Sequence, residues 1–395
     1  MTVRAWFALA PWIIVACAPA QDRDSPVACA TGEILDLDVC VPAACGVGTW
    51  GELAVDEDTV YVDVAADDAG DGSESTPLRS IQSAVDLSGG RGGGLVAVAA
   101  GTYMETLSMG DDHKGVTLAG RCRELVTVDG REGNDAPVVE IVGVRKRPDV
   151  GIEGVALTGG TYMGIRVEGA NVTVTRVDVR ENSFFGLYCE DAELALDAVS
   201  VTGTLPERGA YGHGIIAQGG CSMLMSDTII SGNTEVGLGA FDAETRVEVT
   251  NTTVSGGLPN RAGVGGDGIA VQDGAVLTAS GCVIQQNTEL GVLASSGSSV
   301  TLVDTVVTDT LPCPDGSYGR GIGVQGGATL TMTRSTISGN TEAGLFVGGA
   351  GTTVDMTDTD ILDTLSGPDG LSGWGISAQD GAVLIATRSV IRGNC

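Results

Sequence analysis

Apolar and polar residues alternate along most of this chain. In the segment 164–180, charged residues or Thr separate many of the apolar residues. The apolar residues of this segment are Ile165, Val167, Val172, Val174, Val177 and Val179. Alternation with a period of two is typical of β-strands that present one face to a core. The apolar runs are short and turn residues lie between them. The pattern therefore predicts three short strands in each coil, a coil being one circuit of the chain.

An internal repeat organises these strands. A Gly-Ile pair recurs at Gly164, Gly214, Gly268, Gly321 and Gly375, and a turn Asn recurs at Asn182, Asn233, Asn287, Asn340 and Asn394. One cycle contains a short coil of 22–23 residues and a long coil of 28–31 residues. Asn tolerates the left-handed backbone of a tight turn, and stacked Asn side chains can bond along a solenoid axis. We therefore expect these Asn residues to adopt left-handed turns.

The coil length and the turn chemistry favour one class of solenoid. Left-handed β-helices use shorter hexapeptide coils, and leucine-rich repeats need a Leu-x-x-Leu-x-Leu frame that this sequence lacks. We predict an all-β protein, a single-stranded right-handed parallel β-helix over 59–395 with two-coil repeats over 164–395. The composition agrees, because 61 Gly and only 4% aromatic residues suit stacked coils filled by aliphatic side chains.

The segment 59–107 follows a different pattern. A predicted strand at Val60–Asp63 precedes an acidic Gly-rich loop, and Pro77 precedes apolar residues at helical spacing. A second apolar strand then closes on Gly101-Thr102-Tyr103. This order resembles the N-terminal cap of pectin-lyase-like β-helix proteins. The resemblance implies a short capping helix over the apolar open end of the β-helix.

The N-terminal residues 1–16 resemble a lipoprotein signal peptide. Arg4 precedes an apolar stretch that is too short to span a bilayer and that ends in Ile14-Val15-Ala16-Cys17. This ending resembles a bacterial lipobox, which implies lipidation of Cys17. Ordinary cleavage near Ala18 is the alternative. We expect a tether and a small Cys-rich module over 17–58, and a lipid-anchored protein of the cell envelope, at the outer membrane or the cell surface.

Ten cysteines in an exported chain permit disulfides. We expect Cys29 to pair with Cys40 and Cys45 with Cys122, although spacing alone does not determine the connectivity. Three further cysteines align with small residues of other coils, which favours buried free thiols over metal ligands. They are Cys189, Cys221 and Cys282.

The formal charge of the chain is −30, from 21 basic and 51 acidic residues. Nucleic-acid binding needs clustered Lys and Arg, so this balance argues against nucleic acid as a partner. Divalent cations and neutral or basic surfaces suit it better. Asp67, Asp68 and Asp71 could wrap a Ca²⁺ ion, and a solvated acidic loop is the alternative. No other cofactor is expected.

The long coils owe their extra length to one loop, inserted at the same place in each cycle. The four copies span 205–213, 258–267, 311–320 and 365–374. They must emerge on one side, about 10 Å apart, as a ridge on a rigid scaffold. Aromatic rings and guanidinium groups recur there and suit sugar rings, and packing of the loops onto the coils is the alternative. The candidate ligand-binding residues are Arg208, Tyr211, Arg261, Tyr318, Arg320 and Trp374.

The sequence does not indicate a catalytic site. The Gly-His-Gly around His213 resembles that of polygalacturonases, but the same position holds Asp267, Arg320 and Trp374 in later cycles. The favoured function is a non-catalytic, envelope-anchored β-helix that binds a polysaccharide or a surface partner protein through its loops. The alternative is a carbohydrate-active enzyme of the same fold, a polysaccharide lyase, hydrolase or epimerase. A purely structural rod is a third hypothesis.

The last residues, Arg392 to Cys395, lie partway round a coil without a capping helix. An uncapped end exposes apolar side chains and unpaired strand edges, which template association with another chain. We expect either a truncation or end-to-end self-association, for which a disulfide between two copies of Cys395 is one means.

Overall fold

The computed structural model describes residues 29, 33–36, 39–133, 135–207, 209, 211–368, 370 and 372–395. The predicted signal peptide 1–16 and the predicted lipidation site Cys17 lie outside these residues. The chain divides into two compact units, Met1–Ala43 and Ala44–Cys395. Within the described residues, no helix is long and apolar enough to cross a bilayer.

The first unit contains a small antiparallel hairpin. Its strands are Glu33–Asp36 and Val39–Pro42. A disulfide joins Cys29 to Cys40 with a Cα–Cα distance of 5.4 Å, and this is the pair expected from the sequence. So short a segment buries little apolar surface, and the cross-link limits the conformations open to it when unfolded.

The second unit is the predicted right-handed parallel β-helix, built from three sheets. A complete coil contributes one strand to each sheet, and equivalent strands of adjacent coils pair in parallel. The alternating sequence determines this arrangement, because one set of residues in each strand faces the axis and the other set faces outward.

The strands of the three sheets are as follows. The first sheet contains Val60–Val62, Gly94–Val98, Val116–Gly120, Asp149–Glu153, Asn171–Thr175, Glu193–Asp197, Ser222–Ser226, Arg246–Thr250, Val276–Ser280, Ser299–Val303, Thr329–Thr333, Thr353–Thr357 and Val383–Thr387. The second contains Gly101–Tyr103, Val126–Asp129, Ala156–Thr158, Asp178–Arg180, Ser200–Thr202, Ile229–Ser231, Thr253–Ser255, Val283–Gln285, Val306–Thr308, Thr336–Ser338, Asp360–Leu362 and Val390–Arg392. The third contains Leu107–Gly110, Val139–Val142, Met163–Glu168, Phe185–Glu190, His213–Gln218, Val236–Ala240, Asp267–Val271, Leu290–Ala294, Arg320–Gln325, Ala343–Gly348 and Trp374–Gln379. Short 3-10 helices lie at Ala43–Cys45 and Asp111–His113.

Inward-facing aliphatic side chains form one continuous core along these sheets. In the strand Asn171–Thr175, for example, Val172 and Val174 are 3% and 0% exposed, whereas Thr173 between them faces solvent. Each layer of the core stacks on an equivalent layer of the next coil. Branched aliphatic side chains fill such layers, which accounts for the low aromatic content.

A short helix, α1 (Ile81–Gly90), covers the N-terminal end of this core, as the resemblance implied. Its residues Ile81 and Val85 are fully buried. The Glu105 carboxylate accepts the Ile81 N–H at 2.8 Å, so a negative charge lies at the helix N-terminus, where backbone donors lack partners within the helix.

The repeated Asn residues do not adopt the left-handed backbone expected from the sequence, so that expectation was wrong. The residue before each of them does, as at Gln286, where φ is 54°. The first four Asn side chains are buried and bond to the backbone of the preceding coil. Asn287 Nδ2 donates to Val254 O at 3.1 Å, and Asn287 Oδ1 accepts the Gly257 N–H at 3.0 Å. The same two bonds recur at Asn182, Asn233 and Asn340.

Two further disulfides lie in the second unit. Cys45 pairs with Cys122, the second pair expected from the sequence. Cys189 pairs with Cys221 at a Cα–Cα distance of 5.8 Å, so the interpretation of these two residues as free thiols was wrong. They occupy a strand of one coil and a corner of the next, which places their side chains side by side. Cys282 is a buried free thiol, as expected.

The last coil ends with the strand Val390–Arg392. It leaves apolar side chains in contact with solvent, and Ile385 and Ile391 expose 55% and 48% of their surface. Cys395 is an exposed free thiol. End-to-end self-association stays a prediction.

Candidate functional site

Four loops leave the β-helix at the same point of successive long coils. The root of each loop is a Leu that pairs in parallel with a residue of the preceding coil, and these are Leu205, Leu258, Leu311 and Leu365. The Leu N–H donates to the carbonyl of the buried Asn one coil earlier, as Leu365 does to Asn340 O at 2.8 Å. The loops 205–213, 258–267, 311–320 and 365–374 therefore lie along one side, and we call them the loop ridge.

One residue of the preceding coil fixes both ends of each loop. For the fourth loop this residue is Glu342, whose N–H donates to Leu365 O at 3.0 Å. The Glu342 carbonyl accepts the N–H groups of Gly373 and Trp374 at 2.8 and 2.9 Å. The equivalent residues for the third, second and first loops are Glu289, Glu235 and Phe184. Since both ends of each loop are anchored by backbone hydrogen bonds, the residues beside the anchor have fixed positions.

The third and fourth loops enclose a groove of about 540 Å³. Three of the candidate ligand-binding residues meet there, because Tyr318 and Arg320 end the third loop and Trp374 ends the fourth. Tyr318 and Trp374 expose 39% and 50% of their surface. The other lining residues that the structure describes are Asp315, Gly316, Ser317, Glu342, Gly367 and Ser372. The groove thus combines two partly exposed aromatic rings with polar side chains.

An ion pair positions Arg320 in this groove. Its Nε and Nη2 donate to Glu342 Oε1 at 3.0 and 2.6 Å, and both side chains are only 19% exposed. The guanidinium carbon also lies 5.0 Å from the ring centroid of Tyr318 and 4.2 Å from that of Phe346. Charge-assisted bonds and contacts between a cation and an aromatic ring are both stronger where solvent is partly excluded. Arg320 therefore presents a fixed polar edge beside the Tyr318 ring.

Tyr318 occupies a backbone conformation that suits glycine. Its φ is 62°, and Tyr211, the equivalent residue of the first loop, has a φ of 64°. The second loop has Gly265 at this position, with a φ of 81°. The left-handed conformation costs a residue other than glycine about 1–3 kcal/mol. Because Gly would fold here at lower cost, each Tyr ring must contribute packing or binding.

The first loop belongs to an outward-facing aromatic cluster that the sequence analysis missed. Its rings come from successive coils and are Tyr162, Phe184, Phe185, Tyr188, Tyr211 and His213. Phe185 stacks on His213 with the ring centroids 5.4 Å apart. Tyr211, a candidate ligand-binding residue, contacts Phe184 edge-on at 4.8 Å and remains 47% exposed. The signal was the coil length, since Tyr162 and Phe184 are 22 residues apart and Phe185 and His213 are 28 apart, the lengths of a short and a long coil.

Among the described residues, one candidate ligand-binding residue belongs neither to the groove nor to the cluster. Arg261 is exposed on the second loop. Arg208, on the first loop, lies outside the described residues. Of the candidate residues that the structure describes, Tyr318, Arg320 and Trp374 therefore lie together at the third and fourth loops, and ligand binding by them stays a prediction.

Beneath the second loop lies a buried acid, Asp267, which is 8% exposed. Burial raises the pKa of its carboxyl well above the usual range, and the negative charge of nearby Glu289 raises it further. The Asp267 Oδ1 atom is buried without a hydrogen-bond partner. At the equivalent position of the first loop, burial lowers the pKa of His213 to about 4, so its ring is neutral at pH 7.

The acidic loop near the N-terminal cap is closed by its own hydrogen bonds. The Thr76 hydroxyl donates to Asp71 Oδ1 at 2.6 Å, and this bond is the main cause that lowers the pKa of Asp71 to about 2. Asp68 forms an exposed ion pair with Arg79 at 3.1 Å. Calcium binding by these two residues and Asp67 stays a prediction.

The fold and the ridge define a class of protein, the right-handed β-helices that carry loops on a rigid solenoid. A family model for the right-handed β-helix region matches residues 164–361, just over half of the 395 residues, and the chain belongs to this family. The matched residues include the coils that carry the first three loops. No curated protein matches the chain.

Several solved structures share the fold. The A-module of the mannuronan C-5 epimerase AlgE4 of Azotobacter vinelandii is 18% identical with a TM-score of 0.58, over 84% of this chain and 97% of that one. The catalytic domain of a GH87 α-1,3-glucanase in complex with nigerose is 10% identical with a TM-score of 0.50, over 84% and 70% of the two chains. At these identities the similarity establishes the fold and carries no conclusion about activity.

Proposed function

We propose that the protein binds a polysaccharide through the groove between its third and fourth loops. The observation that carries this proposal is the pair of partly exposed rings, Tyr318 and Trp374, which line one groove together with the Arg320–Glu342 ion pair. Aromatic faces pack against the C–H faces of sugars, while fixed polar groups bond to their hydroxyls. The exposure of the Tyr318 ring supports the proposal, because 39% of the residue's surface remains open to a ligand although its backbone is strained.

Removal of either ring should weaken binding about tenfold or more without unfolding the protein. The full chain is screened on a glycan array, and affinities for each glycan that binds are then measured by calorimetry. Trp374→Ala removes one ring. Tyr318→Gly removes the other and relieves the left-handed strain, so we expect its melting temperature to stay close to that of the parent.

Tyr211→Gly is the matched control. It has the same backbone conformation, but its ring packs on Phe184, so its removal should lower the melting temperature and leave binding in the groove unchanged. Equal affinity of Trp374→Ala, Tyr318→Gly and the parent would contradict the proposal, as would an array without any bound glycan.

A carbohydrate-active enzyme is a second candidate function, and one observation favours it. Burial raises the pKa of the Asp267 carboxyl well above its usual range, and the negative charge of nearby Glu289 raises it further. A carboxyl with a raised pKa beside a second carboxylate is the arrangement that glycosidases use to protonate a glycosidic oxygen. Each bound glycan should then be incubated with the protein and followed by proton NMR, which detects cleavage, elimination and epimerisation. Conversion that is lost in Asp267→Asn would support this function, and unchanged glycans would contradict it.

We also propose that the protein is exported and anchored in the cell envelope through Cys17. The resemblance to a lipobox supports this, and three disulfides suit an oxidising compartment. A labelled fatty acid should be incorporated into the parent and not into Cys17→Ser. Label that persists in the variant would contradict the anchor.

A further inference from the structure

We propose that the polysaccharide bound in the groove is an uncharged one, so that the site selects against polyuronates and other acidic glycans. This inference rests on the proposed function and adds the chemical class of the ligand. It is carried by the charges that line the groove. Of the lining residues that the structure describes, Arg320 is the one cation, and Asp315 and Glu342 are both acids.

The charge of Arg320 is already balanced. Two of its N–H groups donate to Glu342 Oε1, and the Tyr318 and Phe346 rings lie against its guanidinium group. A ligand carboxylate that approached Arg320 would therefore also approach the negative charge of Glu342, which repels it. Acidic glycans are usually recognised by guanidinium or ammonium groups whose charge is not already balanced, or by a bound cation.

Asp315 adds an unbalanced negative charge to the same groove. The Ser317 hydroxyl and N–H both donate to Asp315 Oδ1, at 2.6 and 2.9 Å, and these bonds hold the pKa of that carboxyl below its usual range. Asp315 is therefore ionised at neutral pH. By sequence the fourth loop carries a further acid, Asp369, and the whole chain has a charge of −30.

The negative charges of the groove act differently on acidic and on uncharged glycans. A polyuronate has a carboxylate on every sugar, and at physiological ionic strength charges repel one another over a Debye length of about 8 Å. A neutral glycan experiences no such repulsion, and its hydroxyl groups can donate to the Asp315 carboxylate or to the Ser317 hydroxyl oxygen. The groove therefore suits hydroxyl-rich, uncharged sugars.

The test uses matched pairs of oligosaccharides that differ only at C6, where one has a hydroxymethyl group and the other a carboxylate. The pairs are β-1,4-mannan and β-1,4-mannuronan, β-1,4-glucan and β-1,4-glucuronan, and α-1,4-galactan and α-1,4-galacturonan. Affinities of the full chain are measured in EDTA and again with Ca²⁺, at low and at high salt. We expect the neutral member of any pair that binds to be about tenfold tighter at low salt, with the difference shrinking as salt rises.

The variant Glu342→Gln provides a second, independent test of the inference. It retains an oxygen that accepts from Arg320 but removes the balancing charge, so the affinity for the acidic member relative to that for the neutral member should rise at least threefold. Tighter binding of the acidic member to the parent, with or without Ca²⁺, would overturn the inference and leave the proposed function intact. Failure of every oligosaccharide and every array glycan to bind would instead contradict the proposed function itself.

Discussion

Replacing Asn287 by Ala is expected to lower the free energy of unfolding by about 3 kcal/mol. The Asn287 side chain is 1% exposed, and it bonds to Val254 O and to the Gly257 N–H of the preceding coil. Ala would leave the Gly257 N–H unpaired in a buried position, at a cost of about 1–3 kcal/mol, and would remove the Asn287 bond to Val254 O, which contributes about 1 kcal/mol. Because Gly257 directly precedes the root of the second loop at Leu258, the variant should also loosen that loop.

Urea denaturation measures the loss of stability, and hydrogen exchange of the amides around Leu258 measures the local effect. Asn251→Gly is the matched control, since Asn251 lies in an exposed turn with a φ of 48°, a conformation that Gly adopts freely. Its effect should stay within about 0.5 kcal/mol. Equal stability of Asn287→Ala and Asn251→Gly would mean that the buried bonds contribute little.

The β-helix could be predicted from the sequence because its pattern is local and repeated. Each coil buries one set of alternating residues, so a shift of one residue would expose the whole set, and this fixes the register of every strand. The Asn repeat was located correctly but its role was wrong, because turn propensity alone does not reveal a side chain that faces inward. Asn287 contributes through bonds to another coil, and that contact depends on how coils stack.

Three residues that line the groove could be named from the sequence for the same reason. Tyr318, Arg320 and Trp374 could be identified because their loops occupy equivalent places in the repeat. Glu342, which balances the charge of Arg320 and anchors the fourth loop, was missed because it lies on the short coil before the loop. A recurring signal existed, since an Asn-Thr-Glu triplet stands at 233–235, 287–289 and 340–342. The role of the Glu in this triplet becomes clear only when consecutive coils are placed side by side.

The disulfide between Cys189 and Cys221 shows that the stacking of coils brings residues that are distant in sequence into contact. The two residues are 32 positions apart, slightly more than one long coil, and they occupy different positions of the repeat. When the coils are aligned by sequence, each of these two cysteines stands at a position that other coils fill with a small residue. For this reason both were interpreted as buried free thiols. A separation close to the length of a coil is the signal that could have indicated the pair.

The double variant Cys189→Ala/Cys221→Ala should be less stable by about 3 kcal/mol in the absence of reductant, because the cross-link restricts the unfolded chain. Ala fits both places, since the buried Ala217 is the strand partner of Cys189 in the next coil. The loss should therefore arise mainly from the missing cross-link and only slightly from the removed sulfur atoms. Urea denaturation of the oxidised proteins measures it.

Cys282→Ala is the matched control for the removal of a buried sulfur. Cys282 is 2% exposed and forms no disulfide, so its replacement should cost only about 1 kcal/mol. Reductant should destabilise the parent more than it destabilises the double variant, because both proteins lose their other disulfides but only the parent loses this one. If the double variant matches Cys282→Ala in stability, or if peptide mapping without reductant finds Cys189 and Cys221 unpaired, then this cross-link does not stabilise the β-helix.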